Sequence, residues 1–205
     1  MSTAWTEFSQ KEELTTRIRN ILDEYPQGQT ILKEFLQNAD DAKASKFAVC
    51  LDLRQYSTSN LLHPGLESFQ SPALLVYNSS TFSERDFQSI TSIGNSGKKE
   101  DPTSVGKYGL GFNSSYHVSD VVQFVSGQSL VLFDPHGKHL PNSVLGLRAD
   151  LTQLKCSDTT DPFFLGAKLA FTSQHNDQDV PLISKTNDSF NATVFRLPLR
   201  TSAMA

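Results

Sequence analysis

Residues 31–43, ILKEFLQNADDAK, place two demands on a single helix. At about 100° per residue, Ile31, Leu32, Phe35, Leu36, Ala39 and Ala42 fall within an arc of roughly 140°, the width of a face that packs on a core. Glu34, Asn38 and Asp41 form a separate polar stripe beside Ile31, while Lys33, Gln37 and Asp40 take the solvent side. A chain with such a helix needs an apolar layer to receive the arc. It also needs a rim where three oxygen-bearing side chains lie next to that layer.

The flanking sequence supplies the layer. Leu14, Ile18, Ile21, Leu22 and Tyr25 recur at helical spacing over residues 11–25 and stop at Pro26 and Gly28, so a first helix precedes the striped one. Thr30 is expected to be the N-cap of the second helix, which runs to about Ala44. KFAVCLDL (46–53) and PALLVY (72–77) read as buried strands of one sheet. SERDFQSI (83–90) reads as a short helix opened by the capping-box pair Ser83 and Asp86, and FNSSYHV (112–118) as another helix. VVQFVSGQSLVLFDP (121–135) reads as a hairpin turning at Ser126 and Gly127, and ATVFRLPL (192–199) as a last strand. Residues 136–190 carry no clear period. Helices and strands alternate early and strands cluster late, which predicts an α/β two-layer sandwich: a mixed, mostly antiparallel sheet covered by helices on one face.

At 205 residues the chain fits one domain, 1–205, with a sizeable core. Its end just past a strand leads us to expect a piece of a longer protein. A net charge of −4 gives no overall positive field to attract nucleic acid or anionic lipid, so neither is an expected partner, and any phosphate must be held locally. Cys50 and Cys156 lack CxxC or Cys/His spacing, which points away from zinc and from a disulfide framework. No apolar run is long enough for a membrane span and no signal peptide opens the chain; the expected location is cytoplasmic.

Two constellations carry chemistry. Glu34, Asn38 and Asp41 make an oxygen-rich edge suited to a hard cation such as Mg²⁺, beside which a glutamate can orient or deprotonate water. The same stripe also fits the plain rim of an amphipathic helix. The second constellation is GNSGKKEDPTSVGKYGLG (94–111), which is glycine-rich and longer than an ordinary connector. Gly106, Gly109 and Gly111 stand in G-x-x-G-x-G spacing just before the expected helix, where backbone amides can approach an anion. Lys98, Lys99 and Lys107 can add charge, or simply be solvated. The loop is not a Walker A motif, because the glycine spacing differs and Lys99 stands where Ser or Thr follows the lysine.

Taken in order, E-x-x-x-N-A-x-D-A on a helix, a strand ending in a polar turn, and a loop closing on G-x-x-G-x-G-F resemble the GHKL ATPases. More closely, ILKEFLQNADDA, VYNSSTFSERDF, VGKYGLGFNSSYHVSD and FRLPLR resemble the chaperone-like repeat domains of the sacsin family, over about residues 14–200. The resemblance implies a Bergerat fold that binds ATP or ADP with Mg²⁺. It implies Glu34 as the general base, Asn38 as the Mg²⁺ ligand, and Asp41 and Ala42 as pocket wall. Gly106, Lys107, Tyr108, Gly109, Leu110, Gly111 and Phe112 would surround the phosphates, with Lys98 and Lys99 in a short lid over 94–105. Thr193 would match the late-strand threonine that helps hold adenine. Asn78 stands where the enzymes carry an adenine-reading aspartate, and Ser79 and Ser80 follow where a glycine is usual. An asparagine carbonyl accepts the same bond without the charge, a loss of roughly 1 kcal/mol. In the chaperone ATPases a following domain supplies the cation for the γ-phosphate, so slow turnover at best is expected of this segment. Protein clients or co-chaperones are the other implied partners. The alternative is a protein-interaction scaffold that keeps the fold without nucleotide.

Overall fold

A computed structural model describes residues 12–24, 29–59, 61–91, 110–153 and 190–200. The two amphipathic patterns at the start form helices α1 (Leu14–Glu24) and α2 (Gln29–Asp41). Thr30 lies inside α2 rather than capping it, since Gln29 is already helical. At the other end α2 stops short of Ala44 because Lys43 takes a left-handed conformation (φ 58°). Its N–H donates to Asp40 O and that of Ala44 to Ala39 O, which satisfies the last carbonyls of the helix.

Among the described residues six strands follow: β1 (Phe47–Asp52), β2 (Ala73–Asn78), β3 (Val122–Gly127), β4 (Ser129–Phe133), β5 (Gly146–Asp150) and β6 (Phe190–Pro198). They form one sheet in the order β1-β2-β6-β3-β4-β5. Among the described residues every pairing is antiparallel, where a mixed sheet was expected. β2 and β3, joined through α3 (Glu84–Thr91) and α4 (Leu110–Asn113), do run in the same direction. They are not hydrogen-bonded neighbours, because β6 returns from the far end of the chain and inserts between them. The predicted hairpin turns at Gly127, whose φ of 58° suits a residue without Cβ.

The alternation of the strands sorts two cores. On one face Val76, Val122, Phe124, Val131, Phe195 and Leu197 receive Ile18, Ile31, Phe35, Phe87 and Phe112 from the four helices. On the other face Tyr77, Val125, Leu130, Leu132, Ala192 and Val194 are covered by Leu66, Phe69 and Leu140. Leu66 and Phe69 come from a 3₁₀ helix over Pro64–Gln70, and Leu140 from the segment between β4 and β5. Thus α-helices cover one face as expected, but the second face is also closed. β1, expected to be buried, is an edge strand whose Val49 and Leu51 are 39% and 56% exposed. α3 begins as the capping box predicts: Asp86 Oδ2 accepts from Ser83 N–H at 2.8 Å.

A charged knot ends β1. Asp52 is buried and takes hydrogen bonds from Arg54 Nε (2.7 Å), Arg54 Nη2 (3.0 Å) and the Tyr56 hydroxyl. Burial works to raise the Asp52 carboxyl, but the bonds from Arg54 and Tyr56 outweigh it and hold it below the usual carboxylate range. A carboxyl depressed in the folded state contributes stability above its unfolded value, near about 4, and that contribution vanishes as pH falls through the lower folded value. Denaturant titrations from pH 7 down to 2 are expected to show an acid limb that is shallower in Asp52→Asn.

Candidate functional site

The helix stripe and the end of the glycine loop, far apart in sequence, meet in space. α4 begins at Leu110, so Gly111 and Phe112 lie in its first turn, and Gly111 backs directly onto Glu34 of α2. A methyl group on Gly111 would lie 2.0 Å from Glu34 Oε2 and 2.9 Å from its carboxyl carbon. Only a glycine lets the carboxylate rest against this backbone. Phe112 is buried, with its ring 5.9 Å from those of both Phe133 and Phe195. Phe195 in turn packs against Phe35 of α2 at 4.9 Å. One aromatic stack therefore sets the two helices at the spacing that brings Glu34 to Gly111. Asn38 and Asp41, one and two turns beyond Glu34, are solvent-exposed on the same stripe.

The adenine-side candidates also converge. Asn78, Thr193 and Ser126 lie side by side across β2, β6 and β3, all on the helix-covered face. Asn78 Oδ1 accepts from Ser80 N–H at 3.0 Å, and the Thr193 hydroxyl donates to Ser80 O at 2.7 Å. With its proton used, Thr193 accepts from Ser126 Oγ at 2.7 Å, and Ser126 accepts from Phe82 N–H at 2.7 Å. The chain of bonds fastens the turn over residues 79–82 to three strands. Ser80 Oγ donates to Ala42 O at 2.6 Å, tying the same turn to the end of α2. Ala42 thus meets the site through its carbonyl. Phe82 leaves the turn and packs on Phe124 at 5.1 Å and Phe87 at 5.3 Å.

The sequence marks Ser80 only as a departure from a usual glycine and Ser126 only as a hairpin residue, and Phe82 not at all by itself; none of the three is read there as a site residue. Ser126 had a signal: on the helix-facing side of β3 the order is Val122, Phe124, Ser126, and a hydroxyl at the end of an apolar alternation needs a partner. The lid (94–105), Lys98, Lys99, Gly106, Lys107, Tyr108 and Gly109 lie outside the described residues, as does the side chain of Leu110. Among the described residues no group of three His, Cys, Asp or Glu side chains could by itself hold a metal ion. None of their helices is long and apolar enough to cross a membrane.

A cavity of about 520 Å³ lies elsewhere. It opens between α3, α4 and the β4 and β5 strands and is walled by Phe87, Ile90, Phe112, Tyr116, Phe133 and Leu147. Phe112 is the one residue it shares with the predicted site residues. Arg148 closes its rim, stacked 3.8 Å over the Phe87 ring and bonded to both oxygens of Glu84 at 2.8 and 2.9 Å.

Residues 11–205 match the sacsin domain family. Human Sacsin is 37% identical over all 205 residues, and the chain spans about 4% of that protein's length. With the motifs carried on α2, the 78–82 turn and α4, and with a match over nearly the whole chain, the protein belongs to the sacsin domain family.

Proposed function

We propose that this sacsin domain is a nucleotide-binding module of the GHKL type that takes Mg·ATP and Mg·ADP and hydrolyses ATP slowly if at all. The observation that carries the reading is the seat of the Glu34 carboxylate on Gly111. It joins a base to the last glycine of a phosphate-binding pattern, two residues 77 positions apart that the aromatic stack of α2 and α4 brings together. In this reading Glu34 holds a water at the terminal phosphate and accepts its proton. Asn38 is exposed one turn away, and its carbonyl oxygen is the hard donor that Mg²⁺ favours, so the residues fit the ion. The ion, when bound, neutralises phosphate charge. Lys98, Lys99 and the 106–111 backbone complete the phosphate contacts, Asp41 and Ala42 form a wall, and Asn78 and Thr193 face the base. Cytoplasmic protein clients or co-chaperones are the proposed partners of the larger protein.

One observation favours the scaffold reading instead. The 79–82 turn already occupies Asn78 Oδ1 and the Thr193 proton, both spent on Ser80. A base would have to use the remaining Asn78 and Thr193 valences.

Thermal unfolding with and without millimolar Mg·ADP separates the two. A ligand that binds only the folded state adds about 2.7 kcal/mol at 100 times its Kd. The nucleotide reading expects that shift in the native chain, its loss in Asn38→Ala and Gly111→Ala, and a larger shift in Asn78→Asp. Gly111→Ala should itself unfold near the native midpoint. The added methyl displaces the flexible end of Glu34, and alanine recovers about 1 kcal/mol of helix propensity. No shift in any of the four proteins would leave the scaffold.

A further inference from the structure

Five of the seven large hydrophobic side chains exposed among the described residues belong to α2 and the β1 region: Leu32 (39%), Leu36 (52%), Val49 (39%), Leu51 (56%) and Leu53 (71%). They share one flank of the molecule. On α2, Glu34 faces α4, Phe35 sits on β6, and Leu32 and Leu36 project from the opposite side of Phe35. Because Phe112 of α4 leans on β4 as well as β6, that opposite side looks toward β2 and β1. Val49 and Leu51 pair with Val76 and Leu74, both members of the helix-side core, so they stand on that same face. Soluble monomers seldom leave such a group of aliphatic side chains in water.

β1 itself pairs on one side only among the described residues, and its six-residue register with β2 runs without a break. An edge strand is ordinarily protected by proline, a bulge or an inward charge. Between Phe47 and Leu51 this one has none of them, and its inward charge, Asp52, comes only at the last residue, held by Arg54 and Tyr56. Among the described residues nothing pairs with its outer side.

We propose that the occupant is a second copy of this chain, joined β1 to β1 in antiparallel fashion about a two-fold axis through Val49. The sequence FAVCL is self-complementary in that register. Val49 meets itself, Phe47 lies opposite Leu51, and Ala48 lies opposite Cys50, so large apolar meets large apolar on the helix face and small meets small on the other. Lys46 falls opposite Asp52 at both ends, so the register sets no like charges against each other. A two-fold interface requires this matching of a patch with itself. The two sheets become one, and Leu32 and Leu36 of each copy flank the seam. The proposal does not depend on nucleotide.

Sedimentation or light scattering across micromolar to submillimolar concentrations tests it, with Val49→Lys as the first variant. A lysine at a 39%-exposed edge position leaves the fold intact but sets two like charges against each other on the axis. The native chain is expected to dimerise, and Val49→Lys to weaken the dimer by more than about tenfold, with the same thermal midpoint as the native chain at concentrations where both are monomeric. The second test uses a Cys50→Ser, Cys156→Ser background. Val49→Cys should form a covalent dimer on mild oxidation, because opposed Cβ atoms of an antiparallel pair lie about 4.5–5.5 Å apart. Leu51→Cys, set opposite Phe47, should lag far behind. A native chain that stays monomeric throughout, or equal cross-linking of the two cysteine variants, overturns the proposal.

Discussion

Arg196→Ala is expected to cost about 3–5 kcal/mol, a large share of the 5–15 kcal/mol that typically holds a domain folded. Arg196 is 1% exposed in the middle of β6, on the face without α-helices. Its Nη1 donates to Phe69 O at 2.8 Å and Nη2 to Ser71 O at 3.0 Å, and its guanidinium lies 5.7 Å from the centre of the Tyr56 ring. One planar cation thereby anchors the end of the 64–70 helix, and with it Leu66 and Phe69, to the sheet. Alanine removes both charge-assisted bonds and leaves two carbonyls facing a void, each carrying its own desolvation penalty. Lysine offers a single compact ammonium in place of a fork and is expected to recover little. Methionine fills the volume without a buried charge and is expected to lose less than alanine. Urea unfolding of the three variants, compared at constant m-value, is the measurement. Native stability in all three would show that the fork anchors nothing.

That arginine also shows where sequence reasoning stops. ATVFRLPL reads as a strand because its apolar residues recur in β-type company, and β6 does form there. Nothing local states that the strand enters the centre of the sheet or that its one cation is buried on Phe69 and Ser71. Both facts depend on residues more than a hundred positions away. The same limit explains β5. GLRAD carries one leucine and two charges, and it becomes a strand because β4 offers it an edge, not because of its own pattern. The Pro64–Gln70 helix carries no local period for a similar reason: its apolar residues Leu66 and Phe69 pack on a second core that exists only once the sheet is assembled.

The candidate site was more legible, since its members lie on elements with strong local signals. The helical period that put Glu34, Asn38 and Asp41 on one stripe survives folding unchanged, and the capping box at Ser83 fixes where the turn after β2 ends. What one-dimensional reading misses is the network behind the site. Ser80, Ser126 and Thr193 come from three segments, and only the register of β2, β6 and β3 brings them together. Phe82 follows the polar run NSST and resembles the start of the next helix. Its ring instead belongs to the aromatic core under α2 and α3.

The hub of that core is Phe195, and Phe195→Ala is expected to cost about 3–5 kcal/mol. Its ring is 4.9 Å from Phe35, 5.0 Å from Phe124, 5.9 Å from Phe112 and 6.2 Å from Phe82. It therefore touches α2, β3, α4 and the 79–82 turn at once. Part of the cost is lost transfer energy, and part is the void left when rings held by four separate elements cannot all collapse inward. Phe195→Leu keeps most of the volume and is expected to lose much less. The consequence for function follows from which elements lose their common support. With the hub gone, α2 and α4 no longer share a packing partner, and the contact of Glu34 with Gly111 loosens before the sheet does. Amide hydrogen exchange should show this as faster exchange in α2 and in residues 110–117, with β3 and β4 still protected. Uniform loss of protection across sheet and helices would mean that the aromatic core and the candidate site are not separable units. It would also mean that the site's geometry is no softer than the fold that carries it.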